Sequence, residues 1–213
     1  MRAGDPAPRA GMPEIVLASA SPRRAELLQQ IGLPFRVESS TLGDAGEVFR
    51  PGDTSEISAT RLAVTKAREV AGRVGHGLVV GADTVVSCAG RLFGKPSTPE
   101  EARAFLLALS GRTHTVATGL AVIEADTGRL ESACSVTNVR MRPFDPVEAA
   151  AYVATGEPMD KAGAYGIQGR GALLIEAIEG DYFTVVGLPL ALLADLLRRF
   201  GIDPWQAQAH RSA

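Results

Sequence analysis

The chain has 213 residues and a formal net charge of -2, with 46% hydrophobic and 22% charged residues. This is average globular composition, which excludes a disordered chain, and the balanced charge gives no sign of a nucleic acid polymer or an anionic membrane as partner. No apolar run approaches the ~20 residues of a membrane span, and the length suits one sizeable domain.

The two ends and the cysteines favour a cytoplasmic protein. Residues 1–12 are rich in Pro, Gly and Arg and lack the apolar region of a signal peptide, so a flexible N-terminal tail is predicted there. Cys88 and Cys134 lie in apolar or alternating stretches and are predicted to be reduced core residues. We expect a single domain over 13–201 and a C-terminal tail over 202–213.

The first half of the chain alternates between strand and helix patterns. Short apolar runs predict strands, and apolar residues three to four apart predict helices. Asp53, with Glu56 three residues later, is the predicted cap of the second helix, whose apolar stripe begins at Ile57. In chain order the predicted elements are a strand at 14–18, a helix at 22–31, a strand at 35–37, a helix at 54–72, a strand at 78–80 that 85–87 continues, and a strand at 91–93.

The second half is richer in hairpins. Thr98 and Glu101 form a capping box at the start of a helix that ends at Gly111. Two long alternating segments predict a hairpin in a strongly twisted sheet. These segments are 113–124 and 130–142, and they are followed by a helix capped by Asp145, a glycine-rich loop at 156–171, strands at 172–178 and 182–187, and a helix at 189–200. The fold is therefore predicted to be α/β with a mixed sheet.

Segment 19–24 has the composition of a phosphate-binding turn. A strand that changes into a helix within a few residues leaves backbone N–H groups at the positive end of the helix dipole. Ser21 is the predicted N-cap of that helix, and Ser19, Arg23 and Arg24 add further hydrogen-bond donors. An ordinary strand–turn–helix with solvated arginines explains the segment equally well on its own.

Asp83 lies after a buried apolar strand, where an acid has no packing use. The nearby Gly81 allows another group to approach the backbone closely. A carboxylate at a strand end suits a metal ligand or a base that activates water. The alternative is an aspartate that closes a turn.

Two lysines and one glutamine add to these candidates. Lys95 lies between Gly94 and Pro96, which lowers the entropy cost of presenting its ammonium to phosphate, although a turn lysine fits equally. Lys66 lies among alanines on a helix, where solvation is the default. Gln168 offers both a donor and an acceptor, which suits the reading of a base edge.

Several common signatures are absent from the sequence. It contains no P-loop and no Gly-x-Ser-x-Gly, and its three histidines lack metal-ligand spacing. Carboxylates, lysines and arginines around a phosphate-binding turn instead favour metal-assisted phosphoryl chemistry.

Taken together, these motifs resemble the Maf family of nucleoside triphosphate pyrophosphatases, over nearly all of residues 15–200. The matching segments are 17–24 (LASASPRR), 81–84 (GADT), 94–96 (GKP), 110–114 (SGRTH), 160–169 (DKAGAYGIQG) and 186–189 (VGLP). The resemblance implies an elongated, partly antiparallel twisted sheet flanked by helices, similar to inosine triphosphatases, with a substrate cleft beside the sheet. It also implies a homodimer and cleavage of the α–β bond of a nucleoside triphosphate with Mg²⁺ or Mn²⁺.

The resemblance assigns roles to the candidates by motif. Asp83 would accept a proton from the attacking water. The triphosphate would be held by Ser19, Arg24, Lys66 and Lys95. These assignments are sensible physically, because an anionic transition state needs positive charge already in place.

The resemblance also predicts which nucleotide base the protein recognises. Arg23, Thr84 and Gln168 match the family's dTTP/UTP branch, whereas the 7-methyl-GTP branch carries Trp, Gln and Glu at these positions. The predicted substrates are therefore dTTP, UTP and modified pyrimidine nucleotides, removed as nucleotide-pool house-cleaning. The alternatives are a pyrophosphatase for 7-methyl-GTP or another purine, and a nucleotide-binding regulator of cell division and septum formation.

One stretch departs from the family pattern. Residues 42–47 read LGDAGE where family members usually carry a Val-Asp-Glu-like sequence. Asp44 aligns best with the family's acidic residue, and Glu47 is the alternative. With Asp83, these acids are the predicted ligands of the divalent metal.

Overall fold

A computed structural model describes residues 12–42 and 49–207 of the chain. Most predicted elements are confirmed, with ends that differ by a few residues. The strands are β1 (Ile15–Leu17), β2 (Arg36–Val37), β3 (Leu78–Cys88), β4 (Arg91–Phe93), β5 (Thr113–Glu124), β6 (Leu130–Met141) and β7 (Ile175–Glu179). The α-helices are α1 (Pro22–Gln30), α2 (Ser55–Val74), α3 (Pro99–Leu109), α4 (Pro146–Val153), α5 (Tyr182–Val186), α6 (Leu190–Arg199) and α7 (Pro204–Ala207).

Within the described residues, the seven strands form one mixed sheet. Its order is β2-β1-β3-β5-β6-β7, with β4 beside the far end of β3. β1 runs parallel to β2 and β3, and the remaining pairs are antiparallel. The predicted α/β class with a mixed sheet is therefore confirmed.

Helices cover both faces of the sheet. On one face, α2 packs its alanines, Ala63 and Ala67 among them, against Val79 and Ala121. On the other face, leucines of α1 and α6 pack against β1, β3 and β5. A further cluster joins α3 and α4 to the far end of β3 and to β5 and β6. The apolar core thus lies on both sides of the central strands.

The approach of α2 to the sheet depends on two glycines in the central strands. A Cβ at Gly119 would lie 2.4 Å from the Ala59 carbonyl oxygen and from the Thr60 nitrogen. A Cβ at Gly81 would lie 2.4 Å from the Ala63 carbonyl oxygen. The close approach that the sequence predicts at Gly81 is therefore made by α2.

The start of α2 differs from the prediction. The N-cap is Thr54, whose hydroxyl accepts a hydrogen bond from the Ile57 N–H, and not Asp53. The Asp53 carboxylate instead accepts a hydrogen bond from Arg61 at 3.0 Å. Ile57 is 54% exposed, because it is rotated by about 200° around the helix from the inward-facing Ala59. The predicted apolar stripe was wrong at this position.

The predicted strand at 182–187 was also wrong, since the segment forms the short helix α5. A brief apolar run fits a buried strand or a buried helical turn equally well. Asp181 decides between them, because its carboxylate accepts hydrogen bonds from the N–H groups of Phe183 and Thr184. Gly187 then ends the helix in a left-handed conformation.

The predicted continuation of the strand from 78–80 through 85–87 is confirmed, but Asp83 lies in the middle of β3 and not at a strand end. The neighbouring strands explain why a polar side chain is tolerated there. β1 pairs with β3 only as far as Val80, and β4 pairs with it only from Val86 onwards. Among the described residues, positions 81–85 of β3 therefore have no strand beside them on this edge.

The region after α6 continues to pack against the domain. Ile202, in the predicted C-terminal tail, is 3% exposed and joins the cluster that contains α1 and α6. Helix α7 follows it. Among the described helices, none combines the length and the apolar character needed to cross a membrane.

Substituting Gly119→Ala should destabilise the protein by about 3 kcal/mol, because the new methyl group would push against the backbone of α2. Gly72→Ala is the matched control, since Gly72 lies on the same helix with nothing within 4 Å of its Cβ position. That variant should gain about 0.5–1 kcal/mol of stability. Urea unfolding measures both, and equal stabilities would contradict the close approach of α2.

Candidate active site

A cleft of about 390 Å³ opens beside the stretch of β3 that no described strand borders on this edge. Asp83 and Thr84 are consecutive, so their side chains point to opposite faces of the sheet. Both nevertheless line the cleft, because the edge of β3 is open there. The structure brings seven predicted residues to this cleft: Ser19, Arg23, Arg24, Asp83, Thr84, Lys95 and Gln168.

Lys66 reaches the site through Asp83. Its ammonium nitrogen lies 2.5 Å from Oδ1 of Asp83, and the two side chains are only 13% and 6% exposed. Each charge would be costly to bury alone, and the pairing offsets that cost. Lys66 lies on α2, and its distance from Asp83 depends on the close contact of this helix with Gly81. The Asp83 carboxylate is thereby held in a fixed orientation at the cleft.

Arg24 is held on three sides by uncharged oxygen atoms. Its Nε donates to the Gly187 carbonyl at 2.8 Å, and its two terminal nitrogens donate to the hydroxyls of Ser19 at 3.0 Å and Thr84 at 3.3 Å. These three acceptors carry no charge, and together they fix the plane of the guanidinium. Arg24 is thus a cation in a fixed position at the cleft.

The hydroxyl of Thr84 has a fixed role in this arrangement. Thr118, which is fully buried, donates to the Thr184 carbonyl at 2.7 Å, and a carbonyl oxygen can only accept. The 2.9 Å contact between the two threonine hydroxyls is therefore donated by Thr84. Because its proton is used in this way, the Thr84 hydroxyl can only accept a hydrogen bond from a ligand.

The turn at the start of α1 leaves donors available at the cleft. Ser21 is the N-cap and Pro22 the first helical residue, as predicted, but the Ser21 side chain makes no capping hydrogen bond. Its N–H instead donates to the Ser19 hydroxyl at 3.2 Å. The N–H groups of the first helical turn lack an intrahelical acceptor, so they suit an anion.

The loop that carries Gln168 is braced by Glu157. Its carboxylate accepts hydrogen bonds from the Tyr152 hydroxyl and from the N–H groups of Arg170 and Gly171, at 2.9 to 3.1 Å. Burial raises the pKa of Glu157, but these hydrogen bonds outweigh it and hold the pKa below its ordinary value. The ionised carboxylate fixes the backbone just after Gln168.

His114 and Tyr165 anchor the same loop to the sheet. The Tyr165 hydroxyl lies 2.6 Å from Nε2 of His114, both residues are buried, and Tyr165 lines the cleft. Burial lowers the pKa of His114 to about 4 and raises the pKa of Tyr165. A neutral imidazole therefore faces a protonated phenol, and the pair fixes one wall of the cleft.

A comparison with models of protein families shows which family the chain belongs to. The model of the Maf-like proteins matches residues 14–200. This chain belongs to the Maf family. A dTTP/UTP pyrophosphatase from Moorella thermoacetica is 53% identical over 194 residues, which cover 91% of this chain and 98% of that protein. Another from Pelotomaculum thermopropionicum is 49% identical over 193 residues, which cover 90% of this chain and 99% of that protein.

Among solved structures, a HAM1 protein from Coxiella burnetii is similar over 61% of this Maf chain and 73% of its own. The TM-score is 0.43 and the sequence identity is 23%.

Sequence reasoning missed three charged residues of this Maf site. Asp160 lines the cleft and accepts hydrogen bonds from Arg23 at 2.9 Å and from Lys161 at 2.7 Å. Burial raises the pKa of Asp160, but these hydrogen bonds outweigh it and keep the pKa below its ordinary value. Glu157, which braces the loop, was also missed. Its backbone partners lie 13 and 14 residues away, so no local pattern signals them.

The predicted metal ligands are only partly within the described residues. Asp83 lies at the cleft, whereas Asp44 and Glu47 fall outside the described residues. In the part of the chain that is described, no group of three acid, histidine or cysteine side chains is placed to hold a metal ion. Any metal held here would therefore need other ligands besides Asp83.

The buried His114 predicts a stability that depends on pH. Its pKa is about 4 in the folded protein and 6.5 in its ordinary state, so below about pH 6.5 the unfolded chain binds a proton that the folded protein excludes. The free energy of unfolding should fall by about 3 kcal/mol through this group between pH 6.5 and pH 4, and not further below. Urea unfolding across this range measures the change.

His114→Gln should remove this part of the pH dependence. His76→Gln is the control, because the His76 side chain is 66% exposed, and it should keep the dependence of the unsubstituted protein. An identical pH dependence in His114→Gln and in the unsubstituted chain would contradict the buried neutral imidazole.

Proposed function

We propose that this Maf protein hydrolyses dTTP, UTP and modified pyrimidine nucleotides at the α–β bond, releasing a monophosphate and pyrophosphate. The observation that carries the proposal is the cleft itself, where a buried carboxylate lies beside fixed cations and the start of a helix. The relatives named dTTP/UTP pyrophosphatase, at 49–53% identity over almost their full lengths, support it. The role is clearance of the nucleotide pool in the cytoplasm.

The phosphates would be held by Ser19, Arg24, Lys95 and the start of α1. Arg24 is already fixed by three acceptors, so little reorganisation is needed when charge develops on the phosphate oxygens. Lys95 adds an exposed cation at the same cleft. Lys66 would assist indirectly, because it holds the Asp83 carboxylate in place.

Asp83 would act as the proton acceptor in the hydrolysis. A water oxygen forms a bond to the α-phosphorus while the bond from that phosphorus to the bridging oxygen breaks. The pyrophosphate leaves with the electron pair, and the water proton passes to the Asp83 carboxylate. Lys66 keeps one carboxylate oxygen in place at 2.5 Å, which orients the group towards the cleft.

A divalent metal fits this arrangement as a cofactor. Mg²⁺ is commonly bound by one or two carboxylates together with substrate phosphates, and not by a complete protein cage. Asp83 offers one carboxylate at the cleft, and Asp44 or Glu47 is the proposed second ligand. Bound Mg²⁺ or Mn²⁺ would supply positive charge to the phosphate oxygens.

Arg23, Thr84 and Gln168 would read the base. Because the Thr84 hydroxyl can only accept, it suits a base with an N–H donor, such as the N3–H of uracil and thymine. Arg23 offers donors for the carbonyl oxygens of such a base, and Gln168 offers either kind of contact. The proposed homodimer rests on the family resemblance and stays a prediction.

Asp83→Asn should lower kcat for UTP and dTTP by about 100-fold or more, because the amide cannot accept the water proton. Pyrophosphate release from a panel of nucleotides, with Mg²⁺ or Mn²⁺ and then with EDTA, measures this and the need for metal. Asp195→Asn is the control, since it removes an acid from an exposed ion pair on α6 and should leave the rates unchanged. Equal release by the Asp83→Asn variant and the unsubstituted protein would remove Asp83 from catalysis, whereas no release from any nucleotide would favour the nucleotide-binding regulator instead.

Combining Arg23→Trp, Thr84→Gln and Gln168→Glu should shift the preference towards 7-methyl-GTP. The methylated guanine is cationic, so it stacks favourably on an indole, and a carboxylate accepts from its N–H groups. The ratio of kcat/KM for 7-methyl-GTP and UTP measures the shift. An unchanged ratio would remove these three residues from base recognition.

A further inference from the structure

Arg23 and Arg24 are adjacent in the sequence but contact different groups. Arg24 donates hydrogen bonds to oxygens of Ser19, Thr84 and Gly187. Arg23 instead donates from one terminal nitrogen to Oδ2 of Asp160 at 2.9 Å. This ion pair crosses the cleft, because Arg23 lies on α1 and Asp160 belongs to the loop that carries Gln168.

Asp160 is itself held in place from the other side. Its Oδ1 accepts a hydrogen bond from Lys161 at 2.7 Å, and the same ammonium donates to the Glu157 carbonyl at 2.5 Å. The Lys161 side chain is 12% exposed, and its stem crosses Gly166 so closely that a Cβ there would lie 2.7 Å from Lys161 Cε. The carboxylate thus has a fixed position opposite Arg23.

The ion pair has little reason to exist for stability alone. The Arg23 and Asp160 side chains are 25% and 59% exposed, and ion pairs at such exposure contribute little to the free energy of unfolding. Its effect on charge is larger. The guanidinium of Arg23 would attract a polyphosphate, and the Asp160 carboxylate offsets its charge.

We propose that Asp160 is a positioning residue for base specificity: it holds Arg23 at the base end of the cleft and offsets its charge, so that Arg23 reads the base and leaves the phosphates to Arg24. The inference rests on the proposed function for the identity of the substrate. The remaining N–H donors of a paired, planar guanidinium suit the carbonyl oxygens of a neutral base. An unpaired Arg23 would turn towards the phosphates of any nucleotide.

Asp160→Asn should therefore weaken the discrimination between bases and strengthen the binding of polyphosphate. The ratio of kcat/KM for UTP over ATP should fall about tenfold, whereas inorganic tripolyphosphate should bind about fivefold more tightly, because Arg23 is released from its counter-charge. The kcat for UTP should change less than about threefold, since no group at the reacting phosphorus is altered. Steady-state kinetics and calorimetric titration with tripolyphosphate measure these quantities.

Three further variants isolate the ion pair. In an Arg23→Gln background, Asp160→Asn should have no additional effect on either quantity. Asp160→Glu keeps the charge and should keep tripolyphosphate binding at the level of the unsubstituted protein. Asp195→Asn, which breaks an exposed Asp–Arg pair on α6, should change neither quantity.

The inference is overturned if Asp160→Asn leaves both quantities unchanged, or if its effects persist without Arg23. The titration with tripolyphosphate needs no turnover, so it separates this inference from the proposed function. If the unsubstituted protein cleaves no pyrimidine nucleotide, the proposed function fails. Tighter tripolyphosphate binding by Asp160→Asn would then still support the charge offset, and unchanged binding would overturn it.

Discussion

Strand β3 is paired along most of one edge by β5, whereas described strands pair with its other edge only at the two ends. β1 covers that edge as far as Val80, and β4 covers it from Val86. The five residues between them keep a strand conformation because β5 holds them from the opposite side. The open edge allows side chains from both faces of the sheet to meet in one cleft, which a fully paired sheet would keep apart.

The same region shows how the protein places charge inside a packed domain. Asp83 is buried beside a helix that approaches the sheet at Gly81, and this approach brings the ammonium of Lys66 to the carboxylate. On the opposite face, Arg24 donates hydrogen bonds to oxygens of Ser19, Thr84 and Gly187, which fix its position. A paired carboxylate and a fixed cation thus lie near each other, an arrangement that suits an anionic substrate.

The loop with Gln168 contains short 3-10 helical turns, and side-chain contacts hold these turns in place. Glu157 binds the backbone near Gln168, Tyr165 is anchored on His114, and Lys161 fixes Asp160. These contacts come from a strand, a helix and the loop itself. A loop braced in this way can present a base-reading side chain with the precision that a rigid element would give.

The sequence by itself determined the order and kind of most elements, the start of α1 at Ser21 and Pro22, and the family. These features follow from local rules, namely apolar periodicity, capping residues and short motifs. Local rules failed where two structures share one pattern, as at 182–187, where the Asp181 cap favours a helix. They also failed at Asp83, because a strand end and an open strand edge look alike along the chain.

Only the tertiary structure decided which groups pair: Lys66 with Asp83, Thr84 with Thr118, and Arg23 with Asp160, which lies 137 residues further on. Such pairs depend on strand register and on the distance between packed elements, and neither is written in the residues of one segment.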